Sequence, residues 1–294
     1  MTQASRFREL LHRDGMVVAP GAYDCITAKL IEQAGFAAVY MTGAGTAATL
    51  GYPDFGLATM SEMVANAGRI AAAVELPVIA DADTGYGNEL NVFRTVREFE
   101  TRGIAGIHIE DQGFPKRCGH LDDKEIIPRE DWLAKIRAAA AARRDKAFLI
   151  IARTDSRAVA GLDEAIARAN AALAAGAEMA FVEAPQTIEE VAAVPRRVNG
   201  PCLLNVVYGG KTPSLDLRDA EAIGYRLAIV PGLLVKSVVG ICEQMLAELK
   251  TSHRHPSPVK EMTVREMFQR FGADEWDARR SLFRTASKIR DAAK

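Results

Sequence analysis

The chain has 294 residues, of which 49% are hydrophobic and 26% are charged, and its formal net charge is −1. These values are typical of a soluble globular protein with a large core, and the near-zero charge argues against nucleic acid or a membrane surface as a partner. The N-terminal segment MTQASRFRELLHRDG lacks the apolar stretch of a secretion signal, and no apolar run approaches the ~18 residues of a membrane span. Four cysteines, Cys25, Cys118, Cys202 and Cys242, are scattered without a C-x-x-C pair. Their spacing favours a reduced, cytoplasmic setting over a disulfide framework.

Short apolar runs recur along the first 231 residues, and helix-like segments separate them. The eight runs are 16–20, 37–42, 76–81, 104–110, 147–153, 179–184, 202–207 and 226–231. Unbroken apolar runs of this length are typical of strands that are buried on both faces of a parallel sheet. The segments between them combine alanine, charge and a 3.6-residue period, most clearly at 59–74, 128–144 and 161–177. Thr59 and Glu62 form a capping-box pattern at the start of the first of these segments.

Eight strands that alternate with helices predict an α/β fold, a (β/α)8 barrel of the TIM type. An open, doubly wound sheet is the alternative, but no G-x-G-x-x-G follows the first strand. The glycines of TGAGTAATLG, residues 42–51, lack that spacing, and we predict a loop there. We treat 1–294 as a single barrel domain. After an eighth helix at about 232–250, the segment 251–294 forms a C-terminal helical extension, with helices at about 262–270 and 273–292.

Polar or ionisable residues close six of the eight predicted strands. They are Thr42, Asp81 with Asp83, Glu110 with Asp111, Arg153 with Thr154 and Asp155, Glu183, and Asn205. The C-terminal ends of the strands in such a barrel meet on one rim, where active sites lie. Six polar strand ends on one rim therefore predict an active site.

The sequence VIADADTGYGN places two carboxylates at the end of the third strand. If the chain stays extended across Ala82, Asp81 and Asp83 point to the same side, and Glu110 on the next strand adds a third acid. Carboxylates crowded together at neutral pH require a proton or a cation, and hard oxygen ligands favour Mg²⁺ over zinc. The alternative is that Asp81 or Asp83 caps the following helix.

The segment GFPKRCGHLDDKE, residues 113–125, places a cysteine between cations and a histidine in a stretch too glycine-rich and charged to be core. A thiol flanked by positive charges is suited to proton transfer. Two alternatives remain open. Cys118 and His120 could bind zinc with His108 as a third ligand, or Cys118 could be a surface cysteine without a role.

Five motifs together resemble the isocitrate lyase / phosphoenolpyruvate mutase superfamily. They are PDFG at 53–56, DAD at 81–83, HIEDQ at 108–112, KRCGH at 116–120 and IARTD at 151–155. The resemblance covers nearly the whole chain, and the motifs fall in order on successive predicted strands. Within the superfamily the chain is most similar to the short bacterial 2-methylisocitrate lyases and to the 2,3-dimethylmalate lyase / oxaloacetate hydrolase group.

The resemblance implies a role for each predicted site residue. Asp81 and Asp83 would hold Mg²⁺, or Mn²⁺ in its place, with Asp54 and Glu110 supporting the ion through water. Thr42, Gly43 and Ala44 would bind a substrate carboxylate through backbone N–H groups, Arg153 would clamp the same half of the substrate, and Gly119, Glu183 and Asn205 would line the other side. The family also implies a homotetramer with swapped C-terminal helices.

In the carbon–carbon lyases that the chain resembles, the loop with K-R-C-G-H closes over the substrate. Cleavage of a 2-hydroxy acid between C2 and C3 leaves a carbanion, and Cys118 would protonate it as the general acid. Lys116, Arg117 and His120 would bring the pKa of the thiol toward the working pH. The phosphoryl-transferring mutases have different residues in this loop, so Cys118 favours carbon–carbon chemistry.

The chain departs from the 2-methylisocitrate lyases after the seventh strand. Their asparagine is followed two residues later by a hydroxyl residue that helps to hold a third carboxylate, whereas here Val207 follows Asn205, and Tyr208 stands where relatives commonly have an acid. These changes favour a smaller 2-hydroxy or 2-oxo dicarboxylate with methyl groups, although Lys211 or Lys236 could still reach a third carboxylate. The sequence therefore predicts a lyase similar to 2,3-dimethylmalate lyase. A 2-methylisocitrate lyase, an oxaloacetate hydrolase or decarboxylase, a carboxyphosphonoenolpyruvate phosphonomutase and a non-catalytic binding protein are the alternatives.

Overall fold

The structure is a computed structural model that describes residues 1–292, with side chains described for residues 1–284. Eight parallel strands close into a barrel in chain order, and β8 pairs with β1. The strands are β1 Val17–Ala22, β2 Val39–Met41, β3 Val78–Asp81, β4 Gly106–Glu110, β5 Leu149–Thr154, β6 Met179–Val182, β7 Cys202–Asn205 and β8 Leu227–Val230. Each lies within or overlaps one of the eight apolar runs. The predicted (β/α)8 barrel is confirmed.

Thirteen helices accompany the strands in the described part of the chain. They are α1 Gln3–His12, α2 Cys25–Gln33, α3 Gly43–Thr49, α4 Met60–Ala73, α5 Glu89–Thr101, α6 Arg129–Ala142, α7 Ser156–Ala160, α8 Leu162–Ala174, α9 Ile188–Arg197, α10 Leu217–Ile223, α11 Leu233–Ser252, α12 Val264–Gln269 and α13 Ala273–Ala292. The predicted capping box is present, since Thr59 accepts from the Glu62 N–H and Glu62 accepts from the Thr59 N–H. None of the described helices combines the length and the hydropathy needed to cross a lipid bilayer.

The predicted loop at residues 42–51 is wrong, because a helix, α3, follows β2 directly. Thr42 caps this helix with its hydroxyl, which accepts from the Gly45 N–H at 3.3 Å. The glycines serve close packing rather than flexibility: a Cβ at Gly43 would overlap the Asp81 carboxylate, and one at Gly45 would lie 2.7 Å from the Tyr23 Cβ. Gly43 therefore lets the start of α3 approach the acid at the end of β3.

The barrel interior and the layer between strands and helices form separate apolar clusters. Inside the barrel, Tyr40, Ile79, Leu149, Phe181 and Leu227 are almost fully buried. Phe7 from α1 joins this inner cluster, so α1 belongs to the barrel core as well. Because the interior is filled below the rim, only the C-terminal ends of the strands are left to form a site.

The chain divides into two compact units, residues 1–238 and 239–294, and the division falls within α11. The first unit contains the whole barrel. The second contains the end of α11 with α12 and α13, so the two helices expected in the extension are present. Several large apolar side chains of the second unit are exposed, among them Phe268, Trp276, Leu282 and Phe283.

Candidate active site

Strand ends and the β4–α6 segment bring many charged groups together at the C-terminal rim. Five carboxylates there are at most 5% exposed: Asp81, Asp83, Glu110, Asp155 and Glu183. Three buried cations accompany them: Lys116, Lys124 and Arg153. The excess of buried negative charge makes the rim suited to a further cation.

Asp81, at the end of β3, is the most firmly ionised of these acids. Its carboxylate accepts from the Asp83 N–H at 2.9 Å, and its Oδ2 lies 3.3 Å from the Tyr40 hydroxyl. Burial works against its charge, but the cations Lys116 and Arg153 and the Asp83 N–H outweigh burial and hold the pKa of Asp81 well below its usual range. Asp81 is therefore a carboxylate at any physiological pH.

Tyr40 and His108 support Asp81 from inside the barrel, and sequence reasoning missed this role for both. The Tyr40 hydroxyl and His108 Nε2 lie 2.9 Å apart, and their rings stack. Burial lowers the pKa of His108 to about 4, so its imidazole is neutral. Strand alternation was the available signal, because residues 108 and 110 of β4 point to the same side.

Asp83 does not continue the extended strand, contrary to the expectation for residues 81–83. Its φ of +47° places it in the left-handed region, where the chain turns away from β3. Burial raises the pKa of Asp83 to about 6, with Asp81 and Asp54 adding to the rise and Lys116 opposing it. Neither acid caps the next helix, because Asn88 caps α5. The capping alternative is therefore wrong.

Lys116 joins the loop at 113–125 to these acids. Its Nζ lies 2.5 Å from Asp54 Oδ1 and 2.8 Å from Asp83 Oδ1, and its side chain is 2% exposed. The Asp83 contact is an ion pair without hydrogen-bond alignment. Burial lowers the pKa of Lys116, but Asp83 and Asp54 outweigh it and raise the pKa well above its usual value. A positive charge is thus already stabilised beside Asp83.

Glu110, at the end of β4, is fully buried and has an unusual environment. Within residues 1–284, neither of its carboxylate oxygens receives a hydrogen bond, and the nearest cation is Arg153, with Nε at 3.2 Å. Burial raises the pKa of Glu110 well above its usual value. Buried carboxylate oxygens without donors require a proton, a water molecule or a cation. The oxygen donors of Asp81, Asp83 and Glu110 thus fit a hydrated Mg²⁺ or Mn²⁺ ion.

No three His, Cys, Asp or Glu side chains among the described residues already converge as a finished metal centre. His120 is engaged elsewhere: the Lys211 N–H donates to its Nδ1 at 3.0 Å, and its Nε2 lies 3.0 Å from Glu183 Oε1. His108 lies in the barrel interior beside Tyr40. The zinc alternative at Cys118 and His120 therefore has no support in the geometry.

Arg153, at the end of β5, crosses the centre of the rim. Its guanidinium donates to Asp155 from Nε at 3.0 Å and from Nη2 at 3.3 Å, and Nη2 lies 3.8 Å from Glu183. Its side chain is 7% exposed and packs over the Phe181 ring. The guanidinium is fixed in place by these contacts, as a residue that clamps a carboxylate must be.

The far side of the rim is formed by Glu183 and Asn205. Asn205 Nδ2 donates to Glu183 at 3.1 Å, and among the described residues its Oδ1 receives no hydrogen bond. Burial would raise the pKa of Glu183, but Arg153 and His120 outweigh it and lower the pKa to about 2. Because the Lys211 N–H occupies His120 Nδ1, the ring proton is on Nε2 and is donated toward Glu183.

The loop at 113–125 is closed over this rim. At its base, Gln112 and Ile126 form a β-bridge and the Gly113 N–H donates to Glu125 O. At its tip, Gly119 lies so close that a Cβ there would be 2.5 Å from Arg153 Nη2 and 2.6 Å from Glu183 Cγ. Only glycine allows the tip to approach the rim so closely.

Cys118 is half-buried beside Gly119, and the expected effect of its neighbours on the pKa of the thiol is wrong. Burial and the charge of Asp54 raise the pKa of Cys118. The positive groups are occupied: Lys116 pairs with Asp54, and the Arg117 guanidinium lies over the Phe55 ring. The thiol is therefore protonated at neutral pH, which is the form that a general acid requires.

Alkylation of Cys118 is expected to show this raised pKa. Because only the thiolate reacts, the rate with iodoacetamide should rise with pH to a midpoint above the ~8.5 of a free cysteine. The modified Cys118 peptide would be quantified by mass spectrometry, which separates it from the other cysteines. A midpoint below 8 would mean that the neighbouring cations do acidify the thiol.

At the start of α3, the three predicted N–H groups are not equivalent. The Thr42 N–H donates to Ala22 O within the sheet at 3.0 Å. Gly43 and Ala44 supply first-turn N–H groups of the helix, which point out from its N-terminus. Of the three, these two are therefore the N–H groups that can meet a carboxylate.

A polar network behind the rim includes residues that the sequence did not single out. Asp111 accepts from the Asp155 N–H at 2.8 Å and from Arg168 at 3.1 Å. Lys124 Nζ lies 3.0 Å from Asp155 Oδ1. Lys124 follows the recognised loop motif by only four residues, but nothing in its sequence context distinguishes it from a surface lysine.

The closed barrel and the charged rim under a closed loop define an enzyme of the TIM-barrel class, with its site at the C-terminal ends of the strands. A family model described as phosphoenolpyruvate phosphomutase matches residues 7–250. The chain therefore belongs to the isocitrate lyase / phosphoenolpyruvate mutase superfamily, and the family predicted from the motifs is confirmed.

Two relatives in this family are similar to the chain over most of its length. The chain is 50% identical over 232 residues to the 2,3-dimethylmalate lyase of Eubacterium barkeri. The aligned region covers 79% of this chain and 80% of that protein. It is 41% identical over 273 residues to the 2-methylisocitrate lyase of Aeropyrum pernix. This second alignment covers 92% of this chain and 88% of that protein.

Solved structures are similar over nearly the whole chain. A crystal structure of 2,3-dimethylmalate lyase has a TM-score of 0.90 and 40% identity, covering 95% of this chain and 94% of that one. A phosphonopyruvate hydrolase in complex with oxalate and Mg²⁺ has a TM-score of 0.85 and 30% identity, covering 95% of this chain and 98% of that one.

Proposed function

We propose that this protein is a carbon–carbon lyase that cleaves a small 2-hydroxy dicarboxylate between C2 and C3 and releases a 2-oxo acid such as pyruvate. The observation that carries the proposal is the closed loop, which holds a protonated thiol, Cys118, next to the Arg153–Glu183 side of the rim. The 2,3-dimethylmalate lyase to which the chain is 50% identical supports the same reaction class.

A divalent cation, Mg²⁺ or Mn²⁺, fits the acids at the ends of β3 and β4. Asp81 and Asp83 would hold it directly, and Glu110 and Asp54 would support it, because Glu110 has oxygens without donors. When bound, such an ion supplies Lewis-acid polarisation of the C2 oxygen. The structural relative that contains Mg²⁺ and oxalate supports this assignment.

The chain's own side chains can orient a dicarboxylate on this rim. One carboxylate would meet the Arg153 guanidinium and the N–H groups of Gly43 and Ala44. The other would meet Asn205 and the loop tip at Gly119. Arg153 is held by Asp155 and Glu110 before any substrate binds, so little ordering is needed when the carboxylate arrives.

The role of Cys118 follows from where the protons and electron pairs go when the substrate is cleaved. When the C2–C3 bond breaks, the C2 hydroxyl gives its proton to a carboxylate of the rim and its O–H electron pair becomes the second bond of the C2 carbonyl. The electron pair of the broken C2–C3 bond stays on C3, next to the second carboxylate. The Cys118 Sγ–H then gives its proton to C3. The closed loop excludes water during this step, and Lys116 ties it to Asp54 and Asp83.

Val207 points to a substrate without a third carboxylate. Val207 lies two residues after Asn205, just beyond the end of β7, and it lines an apolar cavity together with Val206. Both nearby lysines already have partners: Lys211 Nζ pairs with Asp122, and Lys236 Nζ donates to Tyr208 O. Methyl groups on the substrate would be favourable beside Val207.

We therefore expect 2,3-dimethylmalate, or a similar C4–C6 diacid, to exceed 2-methylisocitrate in kcat/KM by roughly a hundredfold, because a buried carboxylate without a partner costs several kcal/mol. Val207→Thr should narrow the gap. A panel of 2-hydroxy and 2-oxo diacids assayed with Mg²⁺ for release of the 2-oxo acid would test this. If the wild type prefers 2-methylisocitrate, the role of Val207 is refuted and 2-methylisocitrate lyase activity, as in the relative from Aeropyrum pernix, is favoured.

The family resemblance also leads us to propose a homotetramer with swapped C-terminal helices. An outer cavity of about 620 Å³ in the first unit supports it, since its walls include Val191, Leu204, Leu215 and Val230. Light scattering should give a mass near four times the 31.8 kDa of one chain. Truncation after residue 252 should lower the mass to that of a smaller assembly. A monomeric full-length chain would contradict the proposal.

We propose a cytoplasmic location because all four cysteines are free thiols. A reduced thiol at Cys118 is needed for proton transfer, and reducing conditions preserve it. Fractionation of cells that express the native protein would test the location.

A further inference from the structure

Lys124 is a buried lysine that the reaction does not use. Its side chain is 1% exposed, and its Nζ donates to Asp155 Oδ1 at 3.0 Å and to the Gly119 carbonyl at 2.5 Å. Lys124 lies near the returning base of the loop, whereas Gly119 lies at the tip. One ammonium group therefore connects the loop tip, the loop base and the barrel.

Asp155 is a rigid anchor for this connection. It is fully buried, its N–H donates to Asp111, and Asp111 also accepts from Thr154 Oγ1 at 2.6 Å. The same Asp155 carboxylate accepts two hydrogen bonds from Arg153. Asp155 thus fixes both the guanidinium that faces substrate and the lysine that holds the loop.

Three other ties of the loop differ from this one. His120 contacts Glu183 at 3.0 Å, but through an imidazole rather than an ammonium group. Lys211 and Asp122 form a pair whose side chains are 25% and 86% exposed, and exposed pairs contribute little. Lys116 pairs with acids that belong to the proposed metal site. Lys124 is buried, and its ammonium group donates to the carbonyl of Gly119, the residue after Cys118. Charge-assisted hydrogen bonds in a buried setting are strong.

We propose that Lys124 is a positioning residue that latches the loop at 113–125 shut by joining the Gly119 carbonyl to Asp155. The latch holds Cys118 in place for proton transfer, so its importance for catalysis rests on the proposed function. The latch itself is a property of the loop and can be measured without substrate.

The test is the rate at which iodoacetamide alkylates Cys118 at one fixed pH, measured on the Cys118 peptide by mass spectrometry. In Lys124→Met we expect alkylation to be roughly 10-fold faster or more, because the closed state loses two buried charge-assisted hydrogen bonds. Loss of a nearby positive charge can only raise the thiol pKa and slow the reaction, so faster alkylation reports loop opening. Asp155 keeps Arg153 as its partner in this variant, which protects the fold.

Two control variants make the comparison specific. Lys211→Met removes the exposed tie and should alkylate within about threefold of the wild type. Lys124→Arg keeps the charge and should restore most of the protection. If Lys124→Met fails to fold by circular dichroism, Lys124→Gln replaces it in the same comparison.

Equal alkylation rates in the Lys124 variants, Lys211→Met and the wild type would overturn the latch. Failure of the proposed function would appear differently, as a wild-type protein that turns over no diacid while its alkylation pattern stays as described.

Discussion

Replacing Asp83 by asparagine is expected to reduce kcat by at least about 10³-fold. The variant loses a carboxylate that would hold the divalent cation, and such a cation stabilises the transition state by several kcal/mol. Asp81→Asn should have a comparable effect. Asparagine is preferable to alanine, since Asp81 and Asp83 are only 4% and 5% exposed and alanine would leave a buried space. Turnover of the diacid with added Mg²⁺ is the first measurement.

Magnesium titration separates a metal role from a structural one. Both variants should need a far higher Mg²⁺ concentration for half-maximal residual activity, while the melting temperature changes little. Asp122→Asn is the matched control, because this exposed acid on the loop pairs with Lys211 and should leave the titration unchanged. Wild-type activity of Asp83→Asn at the normal Mg²⁺ concentration would show that this acid is not a ligand.

Cys118→Ser is expected to lower kcat by ~10²-fold or more with a nearly unchanged KM, since a hydroxyl is a far weaker acid than a thiol of ordinary pKa ~8.5. The two side chains are similar in size, so the loop should close as before. The raised pKa of Cys118 keeps the wild-type thiol in its proton-donating form. Steady-state kinetics on the best diacid of the panel give both constants.

Cys25→Ser is the control for this variant, because the Cys25 thiol donates to Arg69 O on the outer layer and should not affect turnover. A higher KM with an unchanged kcat in Cys118→Ser would mean that Cys118 contacts the substrate without transferring a proton.

The barrel was predictable because each strand is a short apolar run buried on both faces, and the charged residues that end these runs are the ones the structure brings to the rim. Asp81, Glu110 and Arg153 lie at strand ends, where parallel register places them side by side: Glu110 of β4 pairs with Arg153 of β5. Local sequence and global fold agree at these positions.

The pKa of Cys118 was not predictable in this way. Lys116 and His120 are each two residues from the cysteine, but their side chains are directed to Asp83 and Glu183, which follow β3 and β6. Burial is then the largest influence on the pKa of the thiol, and it raises that pKa. Helix α3 was missed for a related reason, because its glycines are required by contacts with Asp81 and Tyr23 that a single sequence does not reveal.

Lys124 and Asp155 show the same limit. Both occur in segments that a sequence pattern identifies, yet the pairing spans 31 residues and depends on how the loop folds back. The ion pair is visible only after the loop is placed on the barrel.

The measurement that tests the proposed reaction most directly is turnover of 2,3-dimethylmalate in D₂O, followed by NMR spectroscopy of the products. With Mg²⁺ we expect equal amounts of pyruvate and of propionate with one deuterium at C2, because the Cys118 thiol exchanges with solvent before it protonates the carbanion. Treatment with a chelator should stop both products. The absence of pyruvate from every diacid in the panel, or propionate formed without deuterium, would contradict cleavage through a carbanion that Cys118 protonates.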